Sequence, residues 1–123
     1  MTDNAQDLEM IKETVQNYFD GMYYGDVARL EKAFHAEAFL FGHFHGKFSH
    51  MPASGFFKMV ASAPSLESKG EPFDMEILTI DVTGQVAAVK VRDVYMKMQF
   101  FDYLSLAKVD GEWKIVNKAY HHD

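Results

Sequence analysis

The chain has 123 residues, 48% of them hydrophobic and 24% charged, the balance of one ordinary globular domain spanning residues 1–123. It has no cysteine, which excludes disulfides, thiolate metal sites and a cysteine nucleophile and fits a cytoplasmic setting. Twelve Lys and Arg against eighteen Asp and Glu give a net charge of −6 without a basic stripe, so no nucleic-acid partner is expected, and no apolar run is long enough for a membrane partner. The opening MTDNAQDLE is acidic and polar and is not read as a signal peptide. Eleven Phe, six Tyr, one Trp and eight Met are enough to line a wide apolar cavity as well as to fill a core.

Leu8, Ile11, Val15, Tyr18, Phe19, Met22 and Tyr23 recur at helical spacing and predict a long first helix, with Asp3 or Asn4 as its cap and Gly25 as its stop. Asp26 caps a short second helix whose apolar side is Val27, Leu30, Ala33 and Phe34. Residues 38–45 read as a strand broken at Gly46. Pro52 suits the first turn of a third helix carrying Phe56, Phe57, Met59 and Val60, and Pro64 marks its end. Residues 63–72 are a surface loop. Residues 73–82, 85–97, 100–109 and 112–121 are rich in Val, Ile, Leu and aromatics and read as strands. Asp110-Gly111 is a two-residue type I′ hairpin turn, and Thr83-Gly84 is a weaker turn signal. Helices followed by consecutive antiparallel strands give an α+β fold.

Hairpin parity sorts the strand residues onto faces. A turn at Asp110-Gly111 sets Leu106 opposite Ile115, Leu104 opposite Asn117 and Asp102 opposite Ala119. The inner face then carries Asp102, Leu104, Leu106, Ile115, Asn117, Ala119 and His121. An even-length turn near Met98-Gln99 adds Val89, Val91, Asp93 and Tyr95, and Thr83-Gly84 adds Leu78, Ile80 and Val82. Asp93, Tyr95, Asp102, Asn117 and His121 thus gather at one end of three strands. His121 lies diagonal to Asp102 and pairs with Phe100, and an Asp–His pair on a partly dry wall suits general acid/base work. The plainer reading is a wet sheet end whose polar groups serve the backbone.

Other constellations are weaker. His43 and His45 form an H-x-H on a strand, with His50, His121 and His122 in the chain, but a third ligand at fixed spacing is missing, so no metal is assigned. Phe41 and His43 are candidates for the cavity wall, and Phe19, Tyr23, Phe34 and Phe57 face it from the helices. Serine-elbow and phosphate-loop signatures are absent, and no cofactor is implied. Tyr103, Val116, Tyr120 and Val94 make the outer sheet face more apolar than a lone surface needs, so a homodimer through that face is expected. Lys90, Arg92 and Lys97 read as a solvated face or a dimer rim, not as a nucleic-acid patch.

The stretch from Asp102 to Lys118 resembles the closing hairpin of the nuclear-transport-factor-2-like superfamily. Tyr18-Phe-Asp-Gly-Met-Tyr-Tyr-Gly-Asp26, Phe34-His-Ala-Glu-Ala38 and Ile80-Asp-Val-Thr-Gly-Gln-Val-Ala-Ala88 are similar to the SnoaL-like proteins and to the group labelled putative lumazine-binding. The resemblance spans nearly the whole chain. It implies a cone-shaped roll, with three N-terminal helices packed on a curved antiparallel sheet, a pocket at the open end, and homodimers formed through the outer face. Catalytic members tend to use a pocket Asp with a His or Tyr, which would make Asp102, His121 and Asp93 the catalytic candidates.

Three functions follow, in order of preference. The first is a small-molecule-binding domain for an apolar or heterocyclic ligand, with Phe19, Tyr23, Phe34, Phe41, His43, Phe57, Tyr95, Leu104 and Asn117 as its contacts. The second is an acid/base enzyme of isomerase, dehydratase or cyclase type. The third is a dimeric interaction module whose cone is filled by Phe and Met.

Overall fold

The computed structural model describes residues 4–123. In chain order these form α1 (Asn4–Tyr24), α2 (Val27–Ala33), β1 (Phe34–Phe44), β2 (Lys47–Pro52), α3 (Ala53–Ser62), β3 (Met75–Thr83), β4 (Val86–Tyr95), β5 (Met98–Val109) and β6 (Glu112–His122). The cap expected at Asp3 or Asn4 falls outside the described side chains. Three helices pack on one curved, unclosed sheet in the order β2-β1-β6-β5-β4-β3. The expectation of an antiparallel sheet is corrected at one seam, because β1 and β6 run parallel. That pairing joins strands far apart in the chain, and no turn residue announces it.

α1 lays Ile11, Val15, Tyr18, Phe19 and Met22 across the concave face, where they meet Val89, Val91, Leu104, Leu106 and Ile115. It stops at Gly25, whose φ of +66° costs a glycine little. The amide of Asp26 closes the turn on the Gly21 carbonyl at 2.9 Å. The Asp26 carboxylate then accepts from the Arg29 amide and caps α2. Phe34, expected on the apolar side of α2, instead opens β1 with extended dihedrals and stays buried.

β2 was not foreseen. His45 and Gly46 both take positive φ and fold Lys47–Pro52 back on β1 as a hairpin. Its exposed edge alternates too weakly to read as a strand, and Pro52 becomes the cap of α3. Met96 and Lys97 make the β4–β5 turn, also at positive φ, two residues before the expected Met98-Gln99. The shift is even, so Val89, Val91 and Asp93 still face inward.

Two bulges change the faces. Leu78 is an extra residue in β3 between the pairs Ile77–Val91 and Thr79–Lys90, so it is exposed rather than inward, while Ile80 and Val82 face in. Val116 is extra in β6 between the pairs Leu106–Ile115 and Ser105–Asn117. Beyond it Leu104 faces Lys118 and Asp102 faces Tyr120, not Asn117 and Ala119. Lys118, Tyr120 and His122 therefore turn inward, and Asn117, Ala119 and His121 turn out.

The end of the sheet at the β5–β6 turn is pinned to α1. Asp7 accepts from Trp113 Nε1 and from Lys108 Nζ, both at 3.1 Å, and the Thr14 hydroxyl donates to the Trp113 carbonyl at 2.9 Å. The indole and ammonium donors hold the Asp7 carboxyl below the usual range.

Candidate functional site

At the opposite end the sheet and helices part and leave a cavity. Its empty space, mouth included, comes to about 580 Å³. Met22 of α1, Leu40 and Phe44 of β1, Ser49 and Met51 of β2, and Phe56 and Met59 of α3 form one wall. Asp93 and Tyr95 of β4, Met96 of the turn, Phe100 of β5, and Lys118 and Tyr120 of β6 form the other. Four of these residues are methionines, whose flexible thioethers adapt to the shape of a guest. The cone is thus not packed shut by Phe and Met.

The deep end of this cavity is polar. Asp93 and Asp102 sit on neighbouring strands, are diagonal across the β4–β5 ladder, and are almost fully buried. Asp102 Oδ2 accepts the Tyr18 hydroxyl at 2.7 Å. Burial pushes the Asp93 carboxyl well above the usual carboxylate range, and the Asp102 charge and a hydrogen bond between the two carboxyls push it further. Lys118 and Arg92 pull it down by less. Asp93 Oδ2 and Asp102 Oδ1 are buried without a conventional donor. One proton held between the two carboxyls supplies that need, because two adjacent carboxylates in a dry site do not both ionise. Burial, then the charges of Asp102 and Asp93, raise the Tyr18 phenol well above its ordinary value, so it remains a hydrogen-bond donor. Burial alone raises Tyr95.

Lys118 completes the group. It is 6% exposed, and its Nζ lies 4.4 Å from the Phe56 ring centroid, 5.0 Å from Tyr18 and 5.5 Å from Tyr120. Among the described residues it has no ion pair and no hydrogen-bond acceptor.

The residues expected from the sequence are distributed as follows. Asp93 and Tyr95 line the cavity, and Asp102 lies directly behind Asp93. Phe19, Phe34 and Leu104 are core, and Phe57 packs beside Phe34 at 5.7 Å. Tyr23 donates its hydroxyl to the Glu71 carbonyl at 2.7 Å and so anchors the 63–72 loop instead of facing the cavity. Phe41 and His43 are corrected to the outer face, because β1 alternates and Leu40 and Phe44 take the inner positions. Asn117 is corrected to the outer face by the Val116 bulge. His121 is corrected likewise: it pairs with Phe101, is exposed, and lies 3.7 Å from Asp123 instead of reaching Asp102. His122 pairs with Phe100 in its place and accepts the His45 amide at 2.8 Å through Nε2. Among the described residues, no three His, Asp or Glu side chains are grouped to hold a metal.

Lys118 and Tyr120 were missed because the bulge carries no local signal: Val116 is an ordinary strand residue. Tyr18 was read as part of an apolar stripe. Its hydroxyl was the available clue, since a buried phenol needs a partner.

A family model described as "Putative lumazine-binding" matches residues 6–121. The protein "Aldolase FrzH" of Cladobotryum sp is 26% identical over 120 residues, covering 95% of this chain and 92% of its own. An NTF2-like protein of unknown function from Silicibacter pomeroyi superposes with a TM-score of 0.90 at 26% identity, covering 99% of this chain and 100% of that one. Another from Shewanella baltica gives 0.88 at 26% identity, covering 100% and 98%.

Proposed function

The chain belongs to the putative lumazine-binding family and has the nuclear-transport-factor-2-like fold, and from that premise we propose that residues 1–123 form a small-molecule-binding domain. The observation that carries the reading is the open cavity, about 90 Å³ of it accessible to water, apolar along its walls and polar at its deep end. That combination is the usual chemistry of a ligand site. The ligand has an apolar or heterocyclic body that lies among the Phe and Met side chains. Its polar end faces Asp93, Tyr95 and Lys118. Among the described residues no helix is long and apolar enough to cross a membrane. A cytoplasmic location, expected from the cysteine-free sequence, stays within this proposal.

The test uses the neutral fluorophore N-phenyl-1-naphthylamine. Saturable one-site binding is expected, weakened about tenfold or more when Ser49→Trp places an indole in the cavity. Binding that never saturates, or that ignores Ser49→Trp in a folded variant, overturns the reading.

A second reading is acid/base catalysis, supported by the buried Asp93–Asp102 pair and by a relative named as an aldolase. Here Asp93, at the cavity wall, gives or takes a proton and Asp102 with Tyr18 sets its proton affinity. Solvent-deuterium exchange next to the carbonyl of a bound ketone, lost in Asp93→Asn with fluorophore binding intact, is the result this reading requires.

The homodimer expected from the sequence is also proposed, with a revised surface. Tyr120 leaves the outer face. Phe39, Phe41, Phe48 and His50 of β1 and β2 lie on the same face as Tyr103, the four having ring centroids 5.8–6.4 Å apart, stacked or tilted.

A further inference from the structure

We propose that Lys118 anchors an anionic oxygen, so that the cavity selects ligands carrying a carboxylate, or an anion of like geometry, on an apolar body. The inference rests on the small-molecule reading and specifies its ligand.

Four observations lead to it. First, Lys118 is the sole cationic side chain lining the cavity among the described residues. Second, Lys118 is a largely buried residue, 6% exposed, whose ammonium opens only on the cavity it lines, yet no carboxylate or carbonyl accepts its protons. The three ring faces around it attract the charge but do not replace acceptors for its N–H groups. Third, the neighbouring carboxyl that could have paired with it, Asp93, has its own proton favoured by burial and by Asp102. With the shared proton on it, Asp93 does not repel an anion. Fourth, Asp102 does not line the cavity and is turned toward the Tyr18 hydroxyl. The charge presented to a guest is therefore positive, although the whole chain carries −6. The apolar walls exclude water, which makes a charge-assisted hydrogen bond from Lys118 stronger than it would be on a surface.

The test displaces N-phenyl-1-naphthylamine with 2-naphthoate and, separately, with neutral 2-naphthamide, which have the same ring and nearly the same shape. In water the carboxylate is the better solvated of the two, so without a waiting cation the amide would win. With wild-type protein, naphthoate is expected to displace the dye at about one-tenth the concentration of naphthamide. Lys118→Met keeps the apolar stem against the rings and is expected to reverse that order, read within each protein as the ratio of the two displacing concentrations. Equal or amide-favoured displacement from the wild type overturns the inference even if Lys118→Met does not fold. So does a naphthoate preference that survives in folded Lys118→Met. Failure of the dye itself to bind saturably overturns the small-molecule reading instead, which separates the two.

Discussion

Asp93 and Asp102 are the same residue type on adjacent strands, but they have different surroundings. Asp102 has the Tyr18 hydroxyl at 2.7 Å, while the opposing side of Asp93 is the cavity. The direction of the Asp93 shift has a consequence for stability. Its folded carboxyl holds a proton that the unfolded chain releases above about pH 4. Folding therefore takes up a proton in the window between the unfolded and folded values, and stability falls as pH rises through it. Asp7 and Asp74, both held below their ordinary values, act in the opposite sense and only in more acidic solution. Urea midpoints measured between about pH 4.5 and 8 should thus decline for the wild type, and the decline should flatten in Asp93→Asn. Parallel profiles for the two proteins would mean that Asp93 does not carry the shared proton. The sequence placed Asp93, Tyr95 and Asp102 on one face because parity within β4 and β5 depends only on an even turn. It could not show that Tyr18, fourteen positions from the start of α1, reaches across to Asp102, since that contact is set by packing.

At the scale of the element, β6 decides what the site contains. One additional residue, Val116, swaps Asn117 and His121 for Lys118 and Tyr120. The bulge is matched by a register shift against β1, where Gly42 lies beside Tyr120. A methyl group on Gly42 would run into the Tyr120 carbonyl and its ring. Gly42→Ala is therefore expected to cost about 2–3 kcal/mol, because the obstructing backbone cannot move aside as a side chain would. It should also push Tyr120 off the Lys118 cage. Chemical denaturation measures the cost, and a variant within about 0.5 kcal/mol of wild type would rule out so close a seam. Nothing in the sequence around Val116 marks the bulge. The strongest turn signal, Asp110-Gly111, fixed the register only as far as Ile115.

For the whole molecule, the order of helices and strands was enough to reach the α+β class, and local hairpins explain why. The parallel β1–β6 seam and the exposed β2 edge needed the folded structure, since both depend on contacts distant in sequence. They also determine the outer face. Phe48 is 63% exposed and forms an aromatic surface with Phe39 and Phe41 on the convex side of the sheet, and Tyr103, 58% exposed, lies on the same face across Ala119 of β6. Such a surface is unusual on a monomer and is the basis for the proposed self-association. Light scattering at micromolar concentration should give twice the chain mass of 14.1 kDa, and the double variant Phe41→Ser/Phe48→Ser should give the single mass. A monomeric wild type would leave the patch for another partner.

The pin between α1 and the closing hairpin has a spectroscopic consequence. Trp113 is the chain's single indole, is buried, and donates to Asp7. It stands seven residues along β6 from Tyr120, or about 23 Å in an extended strand. Its emission is expected to be that of a dry indole and to shift red when the two ends of the chain separate, which a fluorescence-monitored urea titration measures. It is a reporter of unfolding, set too far from the cavity for a guest to touch it.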